Sequence, residues 1–140
     1  MGTIIPTRNF SMKNSMWLLK PVIYCNSDTS IEAQAVSLNK ALAQELITYK
    51  PKRRTMQIEK CLFDIIDKLP ENSIIKDFDV LFNPNYKIDV LKIMVNVCKA
   101  KPFSMIWPGT IDGNKLIYAE EGYIDYKTYD VNDYDVTCII

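Results

Sequence analysis

The chain of 140 residues contains no histidine. Ser-His-Asp and Cys-His catalysis, and most zinc or non-haem iron sites, require an imidazole, so the sequence excludes them. Only four glycines occur, at positions 2, 109, 113 and 122, so the first hundred residues cannot contain a glycine-rich phosphate loop. Much of common enzyme chemistry and the usual nucleotide-binding motifs are therefore missing.

The four cysteines form no CxxC pair, and each lies in an apolar run. Such cysteines usually pack as small hydrophobic side chains, so we expect buried, reduced thiols and no metal site. No apolar run approaches the roughly 20 residues of a membrane span, and the first residues lack a signal-peptide core. We therefore expect a cytoplasmic protein that does not enter a membrane.

Seventeen basic and seventeen acidic residues cancel, which removes any whole-protein argument for binding nucleic acid or an anionic membrane. The charge is nevertheless unevenly distributed. Residues 1–109 carry fifteen Lys or Arg and ten Asp or Glu, whereas residues 110–140 carry two and seven, giving +5 and −5. Acidic strands packed against a basic body in one fold explain this split; a partner surface is the alternative.

Apolar spacing and turn residues predict strands and helices that alternate. Residues 1–15 predict a flexible arm, and residues 16–140 a single domain. A helix over 29–48 is the simplest local interpretation, with a strand over 35–38 and a helix from Asn39 as its competitor. The remaining predicted elements are strands near 22–25, 74–75, 103–107, 116–119, 124–129 and 134–140, and helices over 56–69 and 86–99.

This order predicts an α/β layered fold, with a mostly parallel central sheet, flanking helices and a strand-rich C-terminal part. Pro51 is expected to end one helix and leave a basic break at 50–54, and Pro70 to end the next. Asp77 and Asp79 would share one face if they lie in a strand, and a contact at a helix N-terminus or in a turn is the alternative. Alternation in the tail would place Tyr118 and Tyr126 inside.

Residues 36–140 resemble BrxF, the small P-loop protein of type 3 BREX phage-defence systems. The most specific matching part is Trp107-Pro108-Gly109 followed by the run from Leu116 to Glu120 and then Tyr126. A pattern LF-x-P-x(4)-D-x-L, which starts at Leu81, also matches. The resemblance implies a P-loop-NTPase-like fold and a cytoplasmic role beside a methyltransferase, a large ATPase, an alkaline-phosphatase-like protein and a helicase.

Measured against that family, both halves of a nucleotide site are degenerate. The phosphate-loop interval has neither the glycines nor the lysine that hold phosphates. On the magnesium side, Lys76 stands where the family has an Asp and would repel Mg²⁺, while Asp79 takes the neighbouring acidic position. Tyr123 replaces the family's histidine. The degenerate positions are Asn26, Ser27, Asp28, Thr29, Ser30, Lys76 and Asp79.

Two further groups of residues are candidate contact sites. The corner after the 103–107 strand lies where open α/β sheets bind ligands, although its tryptophan is equally well explained as a core residue. The candidates for interaction are Trp107, Pro108, Gly109, Glu120, Tyr123 and Tyr126. The candidates for nucleic-acid phosphates are Lys50, Lys52, Arg53 and Arg54, for which a solvated charged segment is the simpler explanation.

The resulting hypothesis is a non-catalytic accessory or scaffold subunit of a BREX defence system, related to a P-loop ATPase that has lost its nucleotide site. It would need no cofactor, and its partners would be other defence proteins, with a homo-oligomer left open. The alternatives are an ATPase that binds ATP and magnesium with 26–30 as an atypical loop, and a DNA-binding adaptor.

Overall fold

The computed structural model describes residues 2–6, 21–26 and 29–140. They contain nine strands, four α-helices and two 3₁₀ turns, at 79–82 and 131–133. The helices are α1 (Thr29–Gln34), α2 (Asn39–Leu46), α3 (Pro51–Asp67) and α4 (Val90–Ala100). The strands are β1 (Thr3–Ile5), β2 (Val22–Tyr24), β3 (Val36–Ser37), β4 (Ile74–Lys76), β5 (Ser104–Ile106), β6 (Thr110–Asp112), β7 (Lys115–Tyr118), β8 (Lys127–Asp130) and β9 (Thr137–Ile139).

Six strands form one sheet in the order β1-β9-β2-β5-β4-β3, and every neighbouring pair is parallel. Parallel neighbours require crossovers, and the connections from β3 to β4 and from β4 to β5 are helical. The predicted α/β architecture with a mostly parallel sheet is therefore confirmed.

Both faces of this sheet are buried, which explains the continuous apolar character of its strands. Alternation along β2 directs Ile23 into the larger core cluster, where α2, α3 and α4 pack, and Val22 and Tyr24 into a smaller one with Ile31 of α1. In α3 the fully buried residues Ile58, Leu62 and Ile66 recur every four positions. Burying a side chain of this size contributes about 1.5–3 kcal/mol, so the helical faces stabilise the sheet strongly.

The strand-rich C-terminal part is also confirmed. Strands β6, β7 and β8 form a separate antiparallel sheet inserted between β5 and β9. The turn between β6 and β7 contains Gly113 with φ +59°, a left-handed conformation that glycine adopts without steric cost. On β8, Tyr129 rather than Tyr126 points into the core, because Tyr126 lies in the loop before the strand.

The predicted continuous helix over 29–48 is wrong, and the competing interpretation is correct. Helix α1 ends at Gln34, and β3 then pairs with β4 through the register Val36 to Ile75. The Leu38 N–H extends this pairing by donating to the Lys76 carbonyl over 3.0 Å. Helical apolar spacing across 31–46 did not reveal this strand, since its partner lies almost forty residues further along the chain.

Two helix boundaries and the positions of one aspartate pair also differ from expectation. Pro51 does not precede a break but is the first residue of α3, where its missing N–H costs nothing. Helix α4 starts at Val90 rather than near Tyr86, because the Asp89 side chain caps it. Strand β4 ends at Lys76, so Asp77 and Asp79 do not share a strand face; Asp77 turns the chain with φ +50°.

The arm predicted over residues 1–15 includes a strand, since β1 pairs with β9 at the edge of the sheet. Residues 7–15 lie outside the described part of the chain. The short apolar segment of β1 could not be distinguished locally from an irregular tail, because the strand with which it pairs, β9, is more than 130 positions away in the chain.

Asp89→Ala should lower the free energy of unfolding by about 1–2 kcal/mol, because the carboxylate accepts from the Lys92 N–H (3.1 Å) and from the Tyr134 hydroxyl (2.6 Å). Urea denaturation measures the loss. Asp112→Ala, at an exposed position on β6, is the matched control and should change stability little. Equal effects of the two substitutions would contradict the capping role.

Candidate functional site

The carboxyl edge of the parallel sheet is where this fold would bind a ligand. The connection after β2 leads towards β3 on one side, and the chain after β5 leads to β9 on the other. In open parallel α/β sheets, ligands bind outside the carboxyl ends of the strands. The candidate site therefore consists of the segments that follow β2, β4 and β5.

The segment after β2 is short. Cys25 and the exposed Asn26 follow the strand, and α1 starts at Thr29, with Thr29 and Ser30 exposed in its first turn. Ser27 and Asp28 lie outside the described residues. A phosphate loop needs several backbone N–H groups directed at one anion and a lysine beside them, but the interval from 25 to 30 contains no glycine and no lysine.

An ion pair bridges α1 and β4 at this edge. The Lys76 Nζ lies 3.5 Å from the Glu32 Oε2, with the Lys76 side chain 30 % exposed and the Glu32 side chain 46 % exposed. A pair this accessible contributes at most about 1 kcal/mol to stability. The pair therefore places a cation on β4 and an acid on α1 at this edge of the sheet.

Asp79 is engaged in hydrogen bonds within the fold. Its Oδ1 accepts from the Asn39 Nδ2 at 3.3 Å, and its Oδ2 accepts from the Tyr118 hydroxyl at 3.0 Å. The Asn39 Oδ1 in turn accepts from the Val80 N–H at 3.0 Å. Both carboxylate oxygens therefore connect the start of α2 and the end of β7 to the 3₁₀ turn.

Trp107, which follows β5, is a core residue in this fold. It is 4 % exposed, and its indole N–H donates to the Ile117 carbonyl over 2.9 Å. Phe82 and Tyr129 contact it edge-on, with ring centroids 5.7 and 5.9 Å away. Gly109 approaches the same carbonyl so closely that a Cβ there would lie 1.9 Å from the Ile117 oxygen. The corner 107–109 therefore joins the two sheets.

Two tyrosine-aspartate hydrogen bonds fasten the C-terminal part to the main body. One is from Tyr118 to Asp79, and Tyr118 also stacks on Phe82 with centroids 3.8 Å apart and planes 5° from parallel. The other is from Tyr134 to Asp89. Burial raises the pKa of both tyrosines, and the aspartate partners raise it further by accepting the phenol proton. Both hydroxyls therefore remain protonated donors.

The loop that connects β7 to β8 exposes the other interaction candidates. Glu120 is exposed, Tyr123 is 64 % exposed, and Tyr126 is half-buried. Ile124 is 86 % exposed, although the sequence predicted it inside a strand. It was missed because a run from Ile124 to Tyr129 has strand composition, whereas only its second half pairs with β7.

The nucleic-acid candidates occupy the start of α3. Lys50 is the N-cap residue, Lys52 and Arg53 are exposed in the first turn, and Arg54 donates to the Tyr49 carbonyl at 3.1 Å. No acidic residue lies in that turn, so these cations meet the positive end of the helix dipole without local compensation. They form a basic surface separate from the candidate site.

A thiol pair that the sequence did not suggest joins Cys25, just after β2, to Cys138 on β9. Cys61, Cys98 and Cys138 are buried as expected, but Cys25 is only partly buried. A hydrogen bond from the Cys138 thiol lowers the pKa of Cys25, and the same contact together with burial raises the pKa of Cys138. The 112 intervening residues conceal this contact in the sequence.

No protein family, curated protein or solved structure matches this chain. Among the residues of the three described ranges, no group of three or more Cys, Asp or Glu side chains is arranged to hold a metal ion. Within the same ranges, every helix is too short or too polar to span a bilayer.

Tyr129→Phe should reduce the loss of stability at high pH. Burial raises the pKa of Tyr129 from 10.0 to about 12, so its protonated form contributes stability that is present below pH 10 and is lost between pH 10 and 12. Urea denaturation at about pH 8 and about pH 11 should show a decline smaller by about 1–2 kcal/mol in the variant. The exposed Tyr123→Phe serves as the control, and identical declines in the two variants would contradict the prediction.

Proposed function

We propose that this protein is a non-catalytic accessory or scaffold subunit of a BREX-type phage-defence system. The observation that carries the proposal is the ion pair between Lys76 and Glu32 at the carboxyl edge of the sheet. A nucleotide site there would need the opposite charges, with a cation beside the phosphates and an acid that holds magnesium.

The topology supports a relationship to P-loop proteins. In those proteins a strand leads through the phosphate loop into a helix, and here the central strand β2 leads through a short segment into α1. The resemblance to BrxF implies this arrangement, together with the cytoplasmic setting and the neighbouring defence proteins. The chain would retain the scaffold of the fold without the loop that makes it an NTPase.

The hydrogen bonds that Asp79 accepts also argue against ATP hydrolysis. Asp79 is the nearest acid to the position of a catalytic base, and both of its oxygens accept hydrogen bonds from Asn39 and Tyr118. A general base must reach the proton that it removes. Asp79 would first have to release the contacts that hold the C-terminal sheet in place.

Two alternative functions, an ATPase and a DNA-binding adaptor, predict different experimental results. An ATPase that uses residues 26–30 as an atypical loop requires binding of ATP and magnesium. A DNA-binding adaptor requires the exposed cations Lys52 and Arg53, and its affinity would fall steeply with salt. No contact in the described part of the chain favours either alternative over the scaffold.

Thermal unfolding with and without ATP and magnesium should give the same midpoint. A folded binder at about 100 times its dissociation constant would gain roughly 2.7 kcal/mol, an increase that the method detects easily. Calorimetric titration of the same samples provides an independent measurement. A clear nucleotide-dependent shift would overturn the degenerate-site argument.

Co-expression with the proteins of a type 3 BREX system tests the scaffold role itself. We expect the chain to co-purify with at least one of them, and Lys76→Met to leave the complex intact because the ion pair serves no nucleotide. Absence of any complex, with the chain folded and all components expressed, would contradict the proposal.

A further inference from the structure

Two of the four cysteines lie on neighbouring strands of the parallel sheet. Strand β2 pairs with β9 so that Ile23 lies opposite Cys138, and the Cys25 N–H continues this pairing by donating to the Ile139 carbonyl over 2.9 Å. Cys25 therefore lies two residues beyond the position opposite Cys138. Alternate residues of a strand point to the same face of a sheet, so both thiols face the larger core cluster.

The two thiols differ in their access to solvent. Cys138 is fully buried, whereas Cys25 is only partly buried. Cys25 is the first residue after β2, and the exposed Asn26 follows it, so Cys25 lies at the carboxyl edge of the sheet. A reagent from solvent therefore reaches Cys25 before it reaches Cys138.

The hydrogen bond between the thiols gives them different chemical properties. Cys138 donates to the Cys25 sulfur, which lowers the pKa of Cys25, and the same contact together with burial raises the pKa of Cys138. The thiolate is the reactive form of cysteine, so a partly exposed thiol with a lowered pKa is the nucleophile of such a pair. The protonated Cys138 thiol beside it is placed to react in a second step.

The other two cysteines have different surroundings. Cys61 on α3 and Cys98 on α4 are both buried, and burial raises the pKa of each thiol. Cys98 also donates to the Phe103 carbonyl at 3.7 Å. Buried thiols with raised pKa values react slowly, so these two cysteines serve as internal controls within the same chain.

We propose that Cys25 and Cys138 form a reversible disulfide when the protein meets a peroxide, and that this pair is an oxidation-sensitive switch at the carboxyl edge of the sheet. The proposal rests on the strand register and on the unequal exposure of the two thiols, and it does not depend on the proposed defence role. The disulfide fastens the segment between β2 and α1 to β9. A Cα separation above about 7 Å prevents a disulfide unless the backbone moves, and Cys25, just past the regular strand, is the residue that adjusts.

The oxidation consumes one peroxide molecule for each disulfide. The Cys25 thiolate attacks one peroxide oxygen, the O–O bond breaks, and Cys25 sulfenic acid forms while the departing hydroxide takes up the proton that Cys25 released. The Cys138 sulfur then attacks the Cys25 sulfur, the S–O bond breaks, and the hydroxyl leaves as water with the Cys138 proton. Two thiols are thus oxidised and the peroxide is reduced to two waters. A small dithiol reverses the change by thiol–disulfide exchange and becomes a disulfide itself.

Mass spectrometry of the peroxide-treated protein tests the disulfide directly. The reduced chain is treated with hydrogen peroxide and denatured, and its remaining thiols are alkylated with iodoacetamide. We expect alkylation of Cys61 and Cys98 alone, together with a cross-linked peptide that joins Cys25 to Cys138. Dithiothreitol added before alkylation should restore all four thiols.

Three results of this experiment would overturn the proposal. They are four alkylated thiols after peroxide treatment, a disulfide that involves Cys61 or Cys98 or joins two molecules, and oxidation of Cys25 beyond the sulfenic acid without a cross-link to Cys138. Each of them is read from the wild-type protein, so the outcome does not depend on whether a variant folds.

Substitution of each member of the pair separates the two steps. Cys25→Ser should abolish the disulfide, whereas Cys138→Ala should stop the reaction at the Cys25 sulfenic acid, which dimedone traps. Cys61→Ala, which removes a buried thiol outside the pair, is the matched control and should form the disulfide to the wild-type extent. Circular dichroism verifies that each variant is folded. A dimedone adduct of Cys138→Ala at a cysteine other than Cys25 would contradict the assigned roles.

Alkylation of the native reduced protein at neutral pH measures the reactivity of Cys25 without an oxidant. Cys25 should be labelled first, because its thiol is partly exposed and its pKa is lowered. Cys138→Ala removes the donor to the Cys25 sulfur and should slow this labelling. Labelling of a buried cysteine before Cys25, or a rate at Cys25 that Cys138→Ala leaves unchanged, would contradict Cys25 as the activated nucleophile.

Discussion

The stacking of Phe82 on Tyr118 is the contact that joins the antiparallel sheet of β6, β7 and β8 to the main body of the protein. It fixes the antiparallel sheet to the turn that follows β4, with ring centroids 3.8 Å apart, while Trp107 closes the cluster edge-on. Aromatic pairs of this kind contribute about 0.5–1.5 kcal/mol beyond the area that they bury. The hydrogen bond from Tyr118 to Asp79 then fixes the direction in which the stacked ring points.

This contact determines what remains available at the carboxyl edge of the parallel sheet. Trp107 fills the space between the sheets, and the Asp79 carboxylate accepts hydrogen bonds from Asn39 and Tyr118, so both side chains make contacts within the fold. Lys76 and Glu32, which also lie at this edge, form an ion pair with each other. The buried faces of the helices cover the parallel sheet.

The parts of the fold that sequence reasoning predicted are those with a long local signal. Helices α3 and α4 repeat apolar residues at helical spacing over eleven or more positions, and their cores could be read directly. Strands β1 and β3 have three and two residues, and their pairing partners are distant in the chain. The local pattern therefore missed β1 and indicated β3 only as an alternative to a continuous helix. Short strands of a parallel sheet are specified mainly by packing, which a single sequence does not display.

The candidate site shows the same division. The lack of phosphate-loop residues after β2 could be predicted from the sequence, because residues 25–30 contain no glycine and no lysine. The contact between Lys76 and Glu32 could not be predicted from the sequence, because the two residues are 44 positions apart in the chain. The partnership of Asp79 with Asn39 and Tyr118 likewise depends on β7 lying above the 3₁₀ turn, which no spacing rule indicates.

The same packing at the edge of the sheet also creates the exposed loop between β7 and β8. Tyr118 is held at the end of β7, and β8 starts only at Lys127, so the residues between them must leave the sheet and return. Two left-handed positions, Ala119 and Gly122, accommodate that excursion. The exposed loop and the filled space between the two sheets are thus two consequences of one contact, the stacking of Tyr118 on Phe82.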